Sequence, residues 1–164
     1  MSWDIFIKMK HRIALINISF NPFSLQDLPS VLAIERLSYP HPWSEQQFID
    51  SLNNPQIMAD LILLDGKIVG YALSLRAPDF ADLLNICIHP KKQRRGLGEA
   101  LFNRVLQQLQ SIKITTIFLE VRSSNQSAFL FYQQLGFEII DTRKAYYSNG
   151  EDAKIMRFQS AIKK

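Results

Sequence analysis

The chain has 164 residues, of which 47% are hydrophobic and 21% are charged. This is an ordinary globular composition that argues against disorder, and the length fits one domain. A single cysteine excludes a disulfide within the chain and a cysteine-rich zinc site, which suits a reducing compartment. No uncharged apolar stretch approaches the ~20 residues that cross a bilayer. We therefore expect a cytoplasmic protein, with a monomer slightly favoured, whose net charge of +4 would suit a polyanionic ligand.

The first residues differ in character from the rest. Residues 1–12 are rich in lysine and arginine and precede the first strand-like run, Ile13–Phe20. Asn17 interrupts that run and no small-residue cleavage site follows it, so a signal peptide is disfavoured. We expect an N-terminal extension over residues 1–12, with Met9 as an alternative start, and a domain over residues 13–160.

Two helices follow the first strand. Ser24 and Asp27 have the spacing of a helix N-terminus, and prolines from Pro40 onward end this helix. Ser44 begins a second helix, because Gln47 three residues later completes a capping box. Two helices with such clear starting signals predict an ordered helical segment.

Strand-like runs and two more helices fill the remainder of the chain. The predicted strands are Ile57–Leu64, Lys67–Arg76, Phe80–Ile88, Thr115–Val121, Phe137–Tyr147 and Ala153–Phe158. Asp65-Gly66 predicts a hairpin turn between the first two of them. Apolar residues repeat with helical spacing from Leu97 to Leu109, and a shorter helix follows Asn125 and ends at Gly136.

The order of these elements predicts an α/β (α+β mixed sheet) fold. The order is β-α-α-β-β-β-α-β-α-β-β. The strands at Phe80–Ile88 and Thr115–Val121 are joined through a helix, so we expect them to be parallel, with a right-handed crossover. The hairpins are antiparallel, which gives one mixed sheet with helices on both faces.

One segment indicates a ligand. Gln93-Arg94-Arg95-Gly96-Leu97-Gly98 follows a strand and opens the long helix. Glycines let the backbone approach a ligand, and the N–H groups of a helix start bind anions. Four cations at 91–95 are disfavoured by the helix dipole unless an anion is present. The segment is neither a Walker loop nor a complete dinucleotide fingerprint, and a solvated basic loop is the alternative.

This segment resembles the Q/R-x-x-G-x-G/A signature of the GCN5-related N-acetyltransferase (GNAT) family, and the element order is similar to that family's fold. The resemblance implies acetyl-coenzyme A as co-substrate, lying between a splayed pair of parallel strands, here Phe80–Ile88 and Thr115–Val121. It implies that Ile86, Cys87 and Ile88 offer backbone groups to the acetyl-pantetheine arm, that Arg94, Arg95, Gly96, Leu97, Gly98 and Glu99 hold the phosphates, and that Asn125 contacts the arm from the other side.

Seven motifs in chain order resemble the ribosomal-protein-alanine N-acetyltransferase (RimI) branch of the family. They are Ile34-Glu35, Pro42-Trp43-Ser44-Glu45, Leu84-Asn85-Ile86, Leu119-Glu120-Val121-Arg122 with Asn125, Phe131-Tyr132 with Leu135-Gly136-Phe137, Arg143 with Tyr146-Tyr147, and Glu151-Asp152-Ala153 with Met156. The branch implies acetylation of a protein N-terminus, that of a ribosomal protein starting with alanine, without a metal. Residues 39–41 depart from the usual pattern, which leaves the substrate-side surface open.

The resemblance also implies two catalytic roles. Glu120, near the end of a strand that reads as buried, would be the general base, acting through water; the alternative is a structural ion pair with Arg122 or Arg143. Tyr132 would protonate the departing thiolate; the alternative is a core tyrosine with a satisfied hydroxyl. Either Tyr146 or Tyr147 would border the peptide channel, or both would simply pack across strands.

Other readings are weaker. Cys87 lies in a buried run without an adjacent activating histidine, so packing is favoured over nucleophilic catalysis. The three histidines have no metal-ligand spacing. A basic nucleic-acid-binding module would need interleaved aromatic residues that the chain lacks. A sensor of acyl-coenzyme A that has lost catalysis, and a GNAT enzyme acting on lysine side chains or a small amine, are the further alternatives.

Overall fold

The computed structural model describes residues 16–161, so the predicted extension at 1–12 and the alternative start at Met9 lie outside the described residues. The strands are β1 (Ile18–Pro22), β2 (Ile57–Leu64), β3 (Lys67–Arg76), β4 (Ala81–Ile88), β5 (Thr116–Arg122), β6 (Glu138–Arg143) and β7 (Ala153–Gln159). The helices are α1 (Leu28–Ser38), α2 (Glu45–Leu52), α3 (Leu97–Ser111) and α4 (Gln126–Leu135), with 3-10 turns at Leu25–Asp27 and Pro90–Lys92. The predicted order is confirmed.

The strands form one mixed sheet in the order β1-β2-β3-β4-β5-β7-β6. β1 is antiparallel to β2, and β7 is antiparallel to both β5 and β6. β4 and β5 are parallel, as predicted, and pair Ala81 with Ile117 and Asp82 with Phe118. Both of these pairs lie at the beginning of β4 and of β5.

Local sequence explains where the elements begin and end. Ser44 accepts a hydrogen bond from the Gln47 N–H at 3.2 Å, and the Gln47 side chain accepts one from the Ser44 N–H at 2.8 Å, which is the predicted capping box. Gly136 ends α4 with φ +100°, a left-handed conformation that other residues adopt at a cost. The helix predicted from Ser24 starts with a 3-10 turn, and its α-helical part begins at Leu28.

The prediction of a strand over Phe137–Tyr147 is too long, because β6 ends at Arg143. Residues 144–152 form a turn instead. Asp152 accepts hydrogen bonds from the Ala145 N–H and the Lys144 ammonium, each at 2.9 Å, and this pulls the backbone out of the strand. Ala145 takes a positive φ of 49°, which a strand does not allow.

The described chain is divided into two compact units. The first contains the residues up to Leu73 and Asn85–Val105; its core includes Val31, Phe48 and Tyr71, each fully buried. The second contains Ser74–Leu84 and the residues from Leu106 onward, and buries Ile117 and Met156. Within the part of the chain that the structure describes, no helix is long and apolar enough to cross a membrane.

Candidate active site

The glycine-rich segment lies in the first unit and leads into α3. The Gly96 carbonyl accepts the hydrogen bond of the Ala100 N–H at 3.0 Å, so the helical ladder begins there. The N–H groups of Leu97, Gly98 and Glu99 precede this first bond and are those that a helix start directs toward an anion. The predicted phosphate residues therefore lie where backbone N–H groups and the helix dipole favour negative charge.

Gly96 has the conformation and the free space that a ligand cradle requires. Its φ is +76°, and a Cβ added to it would meet no atom of the described chain within 4 Å. Arg94 also has a positive φ, 60°, and both Arg94 and Arg95 are exposed. Positive charge thus surrounds an open stretch of backbone, and these residues fit a pyrophosphate.

The predicted cofactor strand residues Ile86, Cys87 and Ile88 are all buried at the end of β4. The Ile86 carbonyl accepts a hydrogen bond from the Tyr39 hydroxyl at 2.9 Å, and the Ile88 carbonyl accepts one from the Gln93 side-chain amide at 3.0 Å. The Cys87 thiol also donates to the Ile88 carbonyl, at 3.8 Å, so the two lone pairs of that oxygen are both in use. The Ile86 carbonyl has a second lone pair besides the one that Tyr39 uses.

Cys87 has the environment of a packing residue. The residue is 5% exposed, and burial raises the pKa of its thiol. A higher pKa removes the thiolate that a nucleophile would need. Gly70 is required beside it, because a Cβ there would approach the Cys87 carbonyl oxygen to 2.5 Å. The interpretation of Cys87 as a core residue agrees with this geometry.

Glu120 lies in the second unit, on β5. The expectation that Glu120 is buried is wrong: 33% of its side chain is exposed, because Glu120 alternates along β5 with the buried Leu119 and Val121 and so points to the opposite face of the strand. Its Oε1 accepts a hydrogen bond from Arg143 Nη1 at 2.7 Å. The ion pair that the sequence left open as an alternative is therefore present, and it occupies one oxygen of the carboxylate.

Tyr146 and Asp82 complete the surroundings of Glu120. The hydrogen bond that the Tyr146 hydroxyl donates to Glu120 raises the pKa of that phenol. The Arg143 guanidinium carbon lies 5.4 Å from the centre of the Tyr146 ring. Burial first, and the charge of Glu120 second, raise the pKa of Asp82 on β4. The result is a group of two carboxylates, one guanidinium and one phenol in the second unit, in which Asp82 is half-buried and the others are more exposed.

The Glu-Asp-Ala motif holds the turn that carries the two tyrosines. Glu151 accepts from the Ser124 N–H at 2.8 Å and from Arg122 at 3.1 Å. The Arg122 guanidinium carbon in turn lies 3.6 Å from the centre of the Tyr147 ring. The hydrogen bonds of Ser124, aided by Arg122, hold the pKa of Glu151 at about 2. The motif therefore fixes Tyr147 against β5.

Tyr132 and Asn125 lie on and next to α4. Tyr132 is half-buried, with its ring 5.6 Å from that of Phe131 and 5.8 Å from that of Phe137. Asn125 is the N-cap of the helix, and its Oδ1 accepts from the Ala128 N–H at 3.1 Å. The side-chain oxygen of Asn125 therefore caps α4. Its side-chain amide nitrogen is the group that would contact the cofactor.

Sequence reasoning gave no role to two acidic residues, Glu35 and Asp82, although Glu35 belongs to one of the quoted motifs. Glu35 on α1 is 1% exposed and its carboxylate receives three hydrogen-bond donors. Its position on the apolar stripe with Leu28, Val31 and Leu32 was the available signal. Nothing in the sequence singles out Asp82. It comes close to Glu120 because the parallel pairing of β4 with β5 places Asp82 opposite Phe118, two residues before Glu120.

Comparison with known proteins agrees with this geometry. The model of the acetyltransferase (GNAT) family matches residues 28–137. The ribosomal protein bS18-alanine N-acetyltransferase of Escherichia coli strain K12 is 36% identical over 133 residues, which are 79% of this chain and 89% of that protein. A putative enzyme of the same name from Bacillus subtilis strain 168 is 35% identical over 150 residues, 90% of this chain and 96% of the relative. The crystal structure of the ribosomal-protein-S18-alanine N-acetyltransferase from Escherichia coli superposes with a TM-score of 0.79 at 33% identity, covering 87% of this chain and 93% of the other.

The fold and the glycine-rich helix start define an acetyltransferase, and the chain belongs to the GNAT family. Within the family it falls in the ribosomal-protein-alanine N-acetyltransferase branch, as its identity to the Escherichia coli and Bacillus subtilis proteins shows. The resemblance noted from the motifs is confirmed.

Proposed function

We propose that this enzyme transfers the acetyl group of acetyl-coenzyme A to the N-terminal α-amino group of a ribosomal protein that begins with alanine, in the cytoplasm. The observation that carries the proposal is the open glycine-rich start of α3, in a chain that is 36% identical to an alanine N-acetyltransferase acting on ribosomal protein bS18. The acceptor is inferred from the names of the relatives, and the cofactor from the loop.

The residues of the first unit fit the phosphates of acetyl-coenzyme A. Arg94 and Arg95 supply exposed positive charge, and Leu97, Gly98 and Glu99 supply N–H groups at the start of α3. Gly96 keeps the backbone open to a bulky anion. When bound, the co-substrate supplies the thioester, and Ile86, Cys87 and Ile88 of the same unit would hold its pantetheine arm.

The second unit supplies the groups that move protons. Glu120 takes a proton, through water, from the acceptor ammonium, so that the free amine attacks the thioester carbonyl carbon. As the carbon–sulfur bond breaks, Tyr132 donates its hydroxyl proton to the departing thiolate. The attacking nitrogen loses its second proton as the amide forms, and that proton, relayed through solvent, restores the Tyr132 hydroxyl. The acetyl group moves directly to nitrogen, with no acetyl-cysteine, because the buried Cys87 has a raised thiol pKa.

An α-amino acceptor demands less of the base than a lysine does. An α-amino group has a pKa of ~7.7–8.0 and is about one-quarter neutral near neutral pH, whereas a lysine at ~10.4 is about 0.1% neutral. The difference is roughly 3–4 kcal/mol of deprotonation free energy. A half-exposed glutamate acting through water suits the easier of these tasks.

Mass spectrometry of peptides incubated with acetyl-coenzyme A tests the proposal. One peptide starts with alanine and has every lysine blocked, a second has a blocked N-terminus and free lysines, and a third set varies the first residue. Acetylation of the first peptide alone, with alanine preferred, supports the proposal. Acetylation of the second at an equal rate would show a lysine acetyltransferase instead.

A further inference from the structure

The structure contains a buried carboxylate that the proposed chemistry does not use. Glu35 on α1 accepts from the Trp43 N–H at 2.7 Å, from the Tyr71 hydroxyl, and from the Asn85 side-chain amide at 3.3 Å. All of these residues belong to the first unit. A buried carboxylate costs several kcal/mol unless it is hydrogen-bonded, so the three donors define the position of this group closely.

These donors come from three different parts of the unit. Tyr71 lies on β3, Asn85 lies on β4, and Trp43 lies in the segment that joins α1 to α2. A single charge on α1 therefore ties the inter-helical segment to two strands of the sheet. Three hydrogen bonds from separate segments converge on this one group, and each restricts the segment that donates it.

The segment between the helices has a second anchor. The Tyr39 hydroxyl donates to the Ile86 carbonyl at 2.9 Å, while the Trp43 N–H is held by Glu35. Between the anchors lie residues 40–42, Pro-His-Pro, all exposed, which we call the Pro-His-Pro tip. Each proline fixes its own φ, and the residue before a proline is restricted too, so the tip has little freedom between the anchors.

Both anchors end on the same short stretch of β4. Tyr39 contacts Ile86, and Glu35 contacts Asn85, the residue before it. Ile86 is the first of the β4 residues assigned above to the acetyl-pantetheine arm. The tip is therefore held directly beside the stretch of β4 on which the acetyl donor would lie.

We propose that Glu35 is a positioning residue of the transferase reaction, which together with Tyr39 fixes the Pro-His-Pro tip relative to Asn85 and Ile86 so that the tip guides the acceptor peptide toward the acetyl group. This inference rests on the proposed function, because it assigns the tip to the acceptor side. Glu35 does not touch the reacting atoms; it acts through the backbone of Trp43 and through β4.

Glu35→Gln is the sharpest single test, because it keeps the shape of the side chain. A glutamine has one acceptor oxygen and one amino group, so it cannot accept all three donors, and its amino group would face another donor. We expect the kcat/KM for an alanine-starting peptide to fall about 10- to 100-fold, through acceptor KM and kcat, with the Kd of acetyl-coenzyme A within about twofold of wild type. Tyr39→Phe should change the same parameters in the same direction.

The double variant separates positioning from general destabilisation. If Glu35 and Tyr39 hold the same tip, adding Tyr39→Phe to Glu35→Gln should lower kcat/KM only a little further. The fold-loss in kcat/KM of the double variant should then be much smaller than the product of the two single fold-losses. A loss equal to that product would overturn the proposal. Ser24→Ala is the matched control: Ser24 caps the turn before α1, so its loss should lower Tm and leave the acceptor KM unchanged.

Amide hydrogen exchange gives a readout that does not depend on turnover. The Trp43 N–H donates directly to Glu35, so Glu35→Gln should speed its exchange at least tenfold, and Ser24→Ala should not. If wild type fails to acetylate the peptide, the proposed function fails, while exchange at Trp43 still tests the anchoring. If Glu35→Gln does not fold, Tyr39→Phe alone decides: an unchanged acceptor KM with unchanged exchange at His41 would overturn the proposal.

Discussion

Arg143 donates from its Nη1 to the Oε1 of Glu120 at 2.7 Å, so the predicted base forms an ion pair in the free enzyme. Both side chains are partly exposed, with 53% of Arg143 and 33% of Glu120 accessible. An exposed ion pair of this kind contributes about 0–1 kcal/mol to stability. A structural role and a catalytic role of Glu120 therefore predict very different effects of substitution.

The first prediction concerns Glu120→Gln. We expect turnover to fall about 10²- to 10⁴-fold while the free energy of unfolding changes by no more than about 1 kcal/mol. The loss should be largest at low pH, where the acceptor amine is protonated, and higher pH should partly restore the rate. Rates across pH 6–9 with an alanine-starting peptide, together with urea denaturation, measure both effects. Unchanged turnover would leave Glu120 with only its ion-pair role.

The second prediction concerns Tyr132→Phe. Removal of the hydroxyl should lower turnover about 10²- to 10⁴-fold, because the thiolate then leaves without a proton donor. The ring contacts with Phe131 and Phe137 are kept, so the Kd of acetyl-coenzyme A should remain close to wild type. Full turnover of Tyr132→Phe, under conditions where chemistry limits the rate, would show that Tyr132 is not the general acid. Tyr146 and Tyr147 would be the next candidates, and Tyr146→Phe and Tyr147→Phe would test them.

The architecture was largely predictable from the sequence because its signals are local. The Asp65-Gly66 turn, the Ser44–Gln47 capping box and the glycine that ends α4 each follow from neighbouring residues. The arrangement around Glu120 was less accessible. Its exposure depends on the pairing of β5 with β7 and on the turn after Arg143, which Asp152 shapes from eight residues away along the chain. Such non-local contacts leave no periodic trace in the sequence.

The third prediction compares two glycines of matched geometry. Gly96 and Gly66 both have φ +76°, and neither would bring an added Cβ within 4 Å of another described atom. Gly96→Ala and Gly66→Ala should therefore each lower the free energy of unfolding by about 1–2 kcal/mol through backbone strain. Gly96→Ala should in addition weaken coenzyme A binding at least tenfold, because the methyl group enters the space assigned to the pyrophosphate.

Calorimetric titration with coenzyme A and with a pantetheine analogue that lacks the pyrophosphate measures this difference. Gly96→Ala and Arg95→Ala should weaken coenzyme A more than the analogue, and Gly66→Ala should weaken neither. Equal weakening of both ligands by Gly96→Ala would contradict the phosphate assignment, since the substitution would then act through the fold alone.

The fourth prediction concerns Cys87→Ala. The thiol is buried and its pKa is raised, so it serves as a core side chain and carries no acetyl group. Activity at 25 °C should stay within about threefold of wild type, and stability should fall by ~1 kcal/mol or more because a cavity is left in the core. An inactive variant, together with an acetyl-cysteine trapped in the wild-type enzyme, would contradict direct transfer.

The last prediction concerns the pH dependence of stability that Glu151 confers. Hydrogen bonds from Ser124, aided by Arg122, lower the pKa of Glu151 from 4.5 to about 2. A carboxyl whose pKa is lower in the folded state binds fewer protons there than in the unfolded chain, so stability rises with pH across this interval. The contribution of Glu151 is therefore complete above about pH 5 and is lost as the pH falls from 4.5 toward 2. Glu151→Gln should remove this part of the slope and should lower Tm at pH 7 more than at pH 3.

Thermal unfolding of wild type and Glu151→Gln between pH 2 and pH 8 tests this sign. Glu138→Gln is the control, because Glu138 is an exposed carboxylate at the start of β6, where it pairs with Arg157 of β7. Since Glu151 also holds Arg122 beneath the Tyr147 ring, Glu151→Gln should raise the acceptor KM at pH 7, while Glu138→Gln leaves it unchanged. If the Tm difference between Glu151→Gln and wild type did not vary with pH, Glu151 would stabilise the turn by packing alone. Its negative charge would then contribute nothing to stability, which would contradict this prediction.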